Sequence, residues 1–198
     1  MIMYLFCKQK HMFKKSLGAL ALVAGVTTVV GFASAQLNTI VEVELLPGTV
    51  SIFSTGAFDF GNYTVSSSAQ TVTGAFTSYF SVEDLKGNNS GYYTTVQMSG
   101  NLVGPGGATI NDENVAMSTT TTGVTVITGT TNPRVVVHNG MIAFQSLDAA
   151  RTLIKRDTAA NFGVVGHYGT LPNMQVLIPA WTAVGTYTGT LVYTLYEN

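Results

Sequence analysis

Apolar and polar residues alternate in short runs along most of the chain, with turn residues about every ten positions, the pattern of half-buried β-strands. Val41, Val43 and Leu45 alternate with Glu42 and Glu44. Val50 and Ile52 follow a Pro47-Gly48 turn, and Phe58 and Phe60 precede another turn at Gly61-Asn62. Residues 71–82 read as one long β-rich run, and residues 87–91 (GNNSG) as a loop. Tyr92, Thr94, Val96 and Met98 then alternate with Tyr93, Thr95 and Gln97. A break at Gly104-Pro105-Gly106-Gly107 is followed by residues 118–131, where 8 of 14 positions are threonine. Threonine favours strands but packs weakly, which predicts an exposed hairpin there.

Asn139-Gly140 is a favoured two-residue hairpin turn, so residues 134–137 and 141–144 are expected to pair around it. Residues 147–160 (LDAARTLIKRDTAA) combine helix formers with clustered charges. Helix and strand both fit them, and the surrounding β-pattern favours an extended 152–155. Residues 174–178 are apolar and end at Pro179, and residues 185–196 (GTYTGTLVYTLY) form the last strand. In that strand Tyr187, Gly189, Leu191, Tyr193 and Leu195 share one face. Many short strands, with no long repeat, heptad or dividing linker, predict an all-β fold: a single Ig-like, Greek-key β-sandwich of short antiparallel strands.

The N-terminus follows a different pattern. Lys8, Lys10, Lys14 and Lys15 precede an uncharged apolar run over residues 17–32, and Ala33-Ser34-Ala35 supplies small residues at a cleavage site. These are the three parts of a secretory signal peptide. The apolar run is shorter than the ~20 residues that span a bilayer, so residues 1–35 are expected to be cleaved. Met12 also offers a start that leaves the pattern complete. Removing 35 of 198 residues leaves 163, enough for one domain with its own core.

That removal changes the charge and the cysteine count. The remaining 5 basic and 10 acidic residues give a net charge of −5. With no basic patch, a nucleic-acid partner is not expected, nor is a membrane partner once the signal is gone. Cys7 leaves with the signal, so the mature chain has no disulfide or thiol chemistry.

Candidate chemistry is sparse. There is no G-x-S-x-G elbow and no H-E-x-x-H. His138 and His167 each sit beside a glycine turn without a sequence neighbour that would make a triad. The Gly104–107 segment lacks the Lys-Ser/Thr ending of a phosphate loop. Residues 111–114 (NDEN) and Glu83-Asp84 lack calcium-loop spacing, and adjacent carboxylates in a strand face opposite ways. No catalytic residue, metal ligand or cofactor is assigned, and the chain is expected not to be an enzyme.

Two segments carry a family resemblance. Residues 81–96 (SVEDLKGNNSGYYTTV) and residues 178–195 (IPAWTAVGTYTGTLVYTL) resemble the two motif regions of WxL-domain surface proteins of Gram-positive bacteria. The Phe58-Asp59-Phe60-Gly61 turn is similar to the family's start. The resemblance spans residues 45–196. It departs at the motifs themselves: Tyr92 and Thr94 stand for Trp and Leu in the first, and Tyr193 replaces Trp in the second, where Leu195 is kept.

The resemblance implies a secreted, cell-wall-associated module that binds peptidoglycan or wall glycan without covalent attachment, beside other surface proteins or copies of itself. Tyr92, Thr94, Trp181, Tyr193 and Leu195 are the candidate ligand-binding residues. Tyr92 and Tyr193 fit either a sugar platform or the core, and Trp181, in the turn before the last strand, fits either an exposed aromatic or a cap on the sandwich. Export, the strand-like residues 37–46 and the Thr/Gly-rich strands also suit a subunit of a surface filament built by strand donation.

Overall fold

The computed structural model describes residues 43–119, 123–158 and 163–198, so the expected signal peptide (1–35) and residues Val41 and Glu42 lie outside it. Three four-stranded sheets and one small ribbon carry the chain, and every strand pair is antiparallel. The first sheet orders β1 (Val50–Phe53), β3 (Phe80–Asp84), β12 (Gly166–Thr170) and β8 (Thr125–Gly129). The second orders β10 (Gln145–Ser146), β7 (Val115–Thr119), β13 (Pro172–Ile178) and β2 (Gln70–Ala75). The third orders β14 (Leu191–Glu197), β4 (Tyr92–Met98), β11 (Arg151–Arg156) and β9 (Val135–Val137). The ribbon pairs β5 (Leu102–Val103) with β6 (Thr109–Ile110). Among the described residues no helix is long and apolar enough to cross a membrane.

The strands form where alternation meets a covering layer. On β4, Tyr92, Thr94, Val96 and Met98 are buried, while Tyr93 and Gln97 are only partly so. Side chains of the first and third sheets meet: Phe80 of β3 stacks on Tyr193 of β14 with ring centroids 4.8 Å apart. At the other end of β3, Asp84 pairs with Arg156 of β11, both essentially without solvent exposure. Arg156 also donates to the carbonyl of Asn88, which ties the 87–91 loop to the core. A charge buried this deeply is tolerated only with such a partner.

One irregularity in β11 sets the phase of everything after it. Thr152 lies opposite Thr95 and Lys155 opposite Tyr93, so three steps on β11 match two on β4. This β-bulge turns both Leu153 and Ile154 inward and re-phases the alternation. Lys155 consequently faces out and Arg156 faces in toward Asp84.

Several sequence expectations are corrected. Residues 43–49 form no strand: Gly48 and Thr49 bond the backbone of Leu85, but Val43, Leu45 and Leu46 are solvent-exposed and pair with no strand among the described residues. The 71–82 run is two strands in different sheets, β2 and β3, separated at Phe76, whose N–H bonds Pro172 O. Uniform β-propensity cannot distinguish one strand from two. The threonine-rich 118–131 segment is not a hairpin: β7 joins the second sheet and β8 the first, and Thr119 is buried, bonded through Oγ1 to Met141 O. Residues 120–122 lie outside the described set.

At Asn139-Gly140 the chain makes a 3-10 turn instead of a hairpin, with His138 Nδ1 accepting from Gly140 N at 3.2 Å. β9 pairs with β11 through one edge and meets Gly123 in a bridge at Val136, while residues 141–144 turn away without joining it. The 152–155 segment is a strand, as favoured, though residues 159 and 160 of that stretch are outside the described set. The last strand starts only at Leu191, and the segment before it bridges Thr188 to Val103.

Candidate functional site

The turn after β13 is the most unusual local structure. Trp181 has φ of 61°, making it the only described non-glycine residue with positive φ. A bulky residue in that region is a steric outlier and stores strain of roughly 1–3 kcal/mol. The turn is nonetheless held. Trp181 N–H donates to Ser66 O at 2.9 Å, and Thr182 Oγ1 donates to Pro179 O at 2.7 Å. Its base is clamped as well, since Tyr187 OH bonds Ala183 O and a Cβ on Gly185 would lie 2.1 Å from Pro105 Cγ. On this fixed turn the indole is 80% exposed, next to a 78% exposed Val184.

The other four predicted residues share one face of the third sheet. Leu195 lies opposite Thr94, Tyr193 opposite Val96, and Tyr92 opposite Glu197. That face points inward. Tyr92 and Thr94 are buried, and Tyr193 and Leu195 are half-buried. Thr94 Oγ1 donates to Ile154 O and accepts from Ile154 N, each at 3.1 Å. It therefore satisfies the backbone groups that the β11 bulge leaves without ladder partners.

The Tyr92 hydroxyl finds no hydrogen-bond partner. Burial, and then the nearby Asp84 carboxylate, push its phenol far above the ordinary value, against a smaller opposing pull from Arg156. Burial also raises Tyr193, tempered by the Thr55 hydroxyl beside it, though neither hydroxyl makes a well-formed hydrogen bond. The structure thus brings Tyr92, Thr94, Tyr193 and Leu195 together beneath the surface, and Trp181 stands apart in solvent.

The outward face of the same strands carries residues the sequence analysis passed over. Tyr93 and Tyr196 lie directly opposite each other and stack with centroids 4.8 Å apart and planes 14° from parallel. The signal was present in the alternation, one position out of phase with Tyr92 and Tyr193. A second missed contact involves His167, whose Nε2 lies 2.8 Å from Ser81 Oγ, 86 positions away in sequence. Glu83 lies opposite His167 in the register, and the Phe53 ring sits 5.4 Å from the imidazole. Ser81 is only 3% exposed, so its hydroxyl is not open to a substrate. Sequence spacing alone could not have paired two residues on different strands.

Compared with known proteins, the chain matches no family model, no curated protein and no solved structure.

Proposed function

We propose that this chain is an exported, non-catalytic surface module, a WxL-like domain that attaches without covalent bonds to the cell wall, to peptidoglycan or wall polysaccharide. The observation that carries the proposal is Trp181: an indole held in a strained backbone conformation yet offered to solvent. Hydrophobic burial alone would place such a ring inside, and backbone strain of this kind collects at functional sites. A flat exposed indole provides apolar area for the face of a sugar ring, with an N–H at its edge for a hydroxyl. The N-terminal export pattern and the WxL-like segments support the same destination. Tyr92, Thr94, Tyr193 and Leu195 act beneath the surface, keeping the third sheet in shape.

Within this proposal the first and third sheets are the two layers of an Ig-like, Greek-key β-sandwich. The Phe80–Tyr193 stack and the Asp84–Arg156 pair are the contacts that support such layering.

Co-sedimentation of the purified chain with insoluble peptidoglycan sacculi tests the proposal. The native chain is expected to pellet, and Trp181→Ala to remain largely in the supernatant while keeping its circular dichroism spectrum. A native chain that stays in solution, or a Trp181→Ala variant that pellets equally well, would sink it.

A second reading is favoured by a separate observation. Val43, Leu45 and Leu46 stand 80%, 87% and 79% exposed, just ahead of β1 at the edge of the first sheet. Such a segment suits donation to an open sheet edge of a second copy, as in a surface filament.

A further inference from the structure

The outward face of the third sheet has a feature that the Trp181 turn does not explain. A shallow cleft of about 300 Å³ opens there, lined by Tyr93, His138, Thr152, Lys155, Asp157 and Thr158 among others. A neighbouring depression of about 370 Å³ shares His138, Lys155 and Asp157 with it. The floor is a register row across the sheet: Tyr196, Tyr93, Lys155 and Val136 lie opposite one another in turn. The β11 bulge puts Lys155 in that row, and Thr94 holds the bulge from below.

We infer that this cleft is a second binding site, for a neutral pyranose glycan, in which the Tyr93 ring packs against a sugar face and Lys155, Asp157 and His138 bond its hydroxyls. The chemistry follows from the groups present. Tyr196 covers one face of the Tyr93 ring, and the ring itself lines the cleft, so it is braced in place before any ligand arrives. A pyranose presents a patch of C–H groups on its face and hydroxyls around its rim, which calls for an aromatic wall ringed by both donors and acceptors.

The rim of the cleft provides both. Lys155 Nζ lies 3.2 Å from Asp157 Oδ1, and His138, Thr152 and Thr158 add further polar groups. Of the charged residues lining the cleft, Lys155 pairs with Asp157 and Arg156 with the buried Asp84, so the cleft matches an uncharged polyhydroxyl ligand better than an anionic polymer. Its backbone is already paired on both sides of β4 and β11, so an extended peptide would find no strand edge to join there.

This inference stands apart from the Trp181 proposal, and one property of the chain separates their tests. Trp181 is the only tryptophan in the sequence, so its fluorescence reports on its own turn. Titration calorimetry of the purified full chain with cellohexaose and with chitohexaose is the experiment, with tryptophan emission followed in parallel.

Binding of at least one probe is expected. Tyr93→Ala should weaken it about tenfold, the loss of one stacking contact. Tyr93→Phe should retain it, and the part of the binding that Tyr93→Ala removes should persist in Trp181→Ala. Asp157→Asn, on the exposed rim, should weaken it without touching the core, and so serves if Tyr93→Ala fails to fold. The inference is overturned if neither probe binds, or if Asp157→Asn and a folded Tyr93→Ala bind as the native chain does. It is also overturned if binding shifts the tryptophan emission and disappears with Trp181→Ala, which would assign the sugar to the turn and support the other proposal.

Discussion

At the scale of single residues, the tyrosines divide by the direction in which they point. Tyr92, Tyr168 and Tyr193 have phenols raised above the ordinary value, with burial as the leading cause in each case. For Tyr92 and Tyr168 the Asp84 carboxylate adds to the effect, against a smaller pull from Arg156. A raised folded-state value means the fold holds the neutral phenol, whereas in the unfolded chain the same group ionises near about 10. Above that pH the unfolded state binds fewer protons than the folded state, so stability falls as pH rises. Stability from these residues is therefore complete below pH about 10 and lost progressively above it. Urea denaturation across that range should show a falling midpoint, and Tyr92→Phe should flatten the fall. Phenolate absorbance should show a late, unfolding-linked fraction. If the eight tyrosines that follow residue 35 all titrate together near pH about 10 with the fold intact, the burial of Tyr92 is disproved.

At the scale of elements, the pairing of β4 with β11 carries the main consequence. The bulge at Leu153-Ile154 decides that Lys155 faces the cleft and Arg156 faces Asp84. Without it, strict alternation would exchange the two and leave a lysine in the core. Thr94 holds the bulge with two bonds to Ile154 that no apolar side chain could make. Thr94→Val keeps the shape but leaves a buried N–H and a buried C=O unpaired, at about 1–3 kcal/mol for each group. A lowered denaturation midpoint, together with faster amide exchange at Ile154, is the expected result. A Thr94→Val variant as stable as the native chain would mean the bulge holds itself.

At the scale of the whole molecule, β1 is an outer strand of the first sheet, and the exposed Val43, Leu45 and Leu46 precede it in the chain. Burying each such side chain is worth about 1.5–3 kcal/mol, enough together to drive association when a matching edge is open. If the strand-donation reading holds, the purified chain should elute as concentration-dependent oligomers, and Leu45→Lys should shift it toward monomer. A monomer at every concentration would remove that reading and leave the Trp181 turn as the leading contact surface.

Part of this protein was legible in its sequence. The β-class, the strand at β4 and the opposite facing of Glu83 and Asp84 follow from period-two alternation and turn residues, which are local properties of the chain. β13 follows from an apolar run that ends at Pro179, whereas the residues of β11 fit helix and strand alike and only their β-rich surroundings favour the strand. The same alternation grouped Tyr92 with Thr94, and Tyr193 with Leu195, on common faces. Only the tertiary structure decided which of two alternating faces is covered, because burial depends on a layer supplied by strands far away in sequence. For the same reason it decided that β2 and β3 part company, that β7 and β8 do not pair, and that His167 meets Ser81. The bulge, the buried Asp84–Arg156 pair and the left-handed backbone at Trp181 likewise arise where distant segments constrain one another, and no pattern along the chain encodes them.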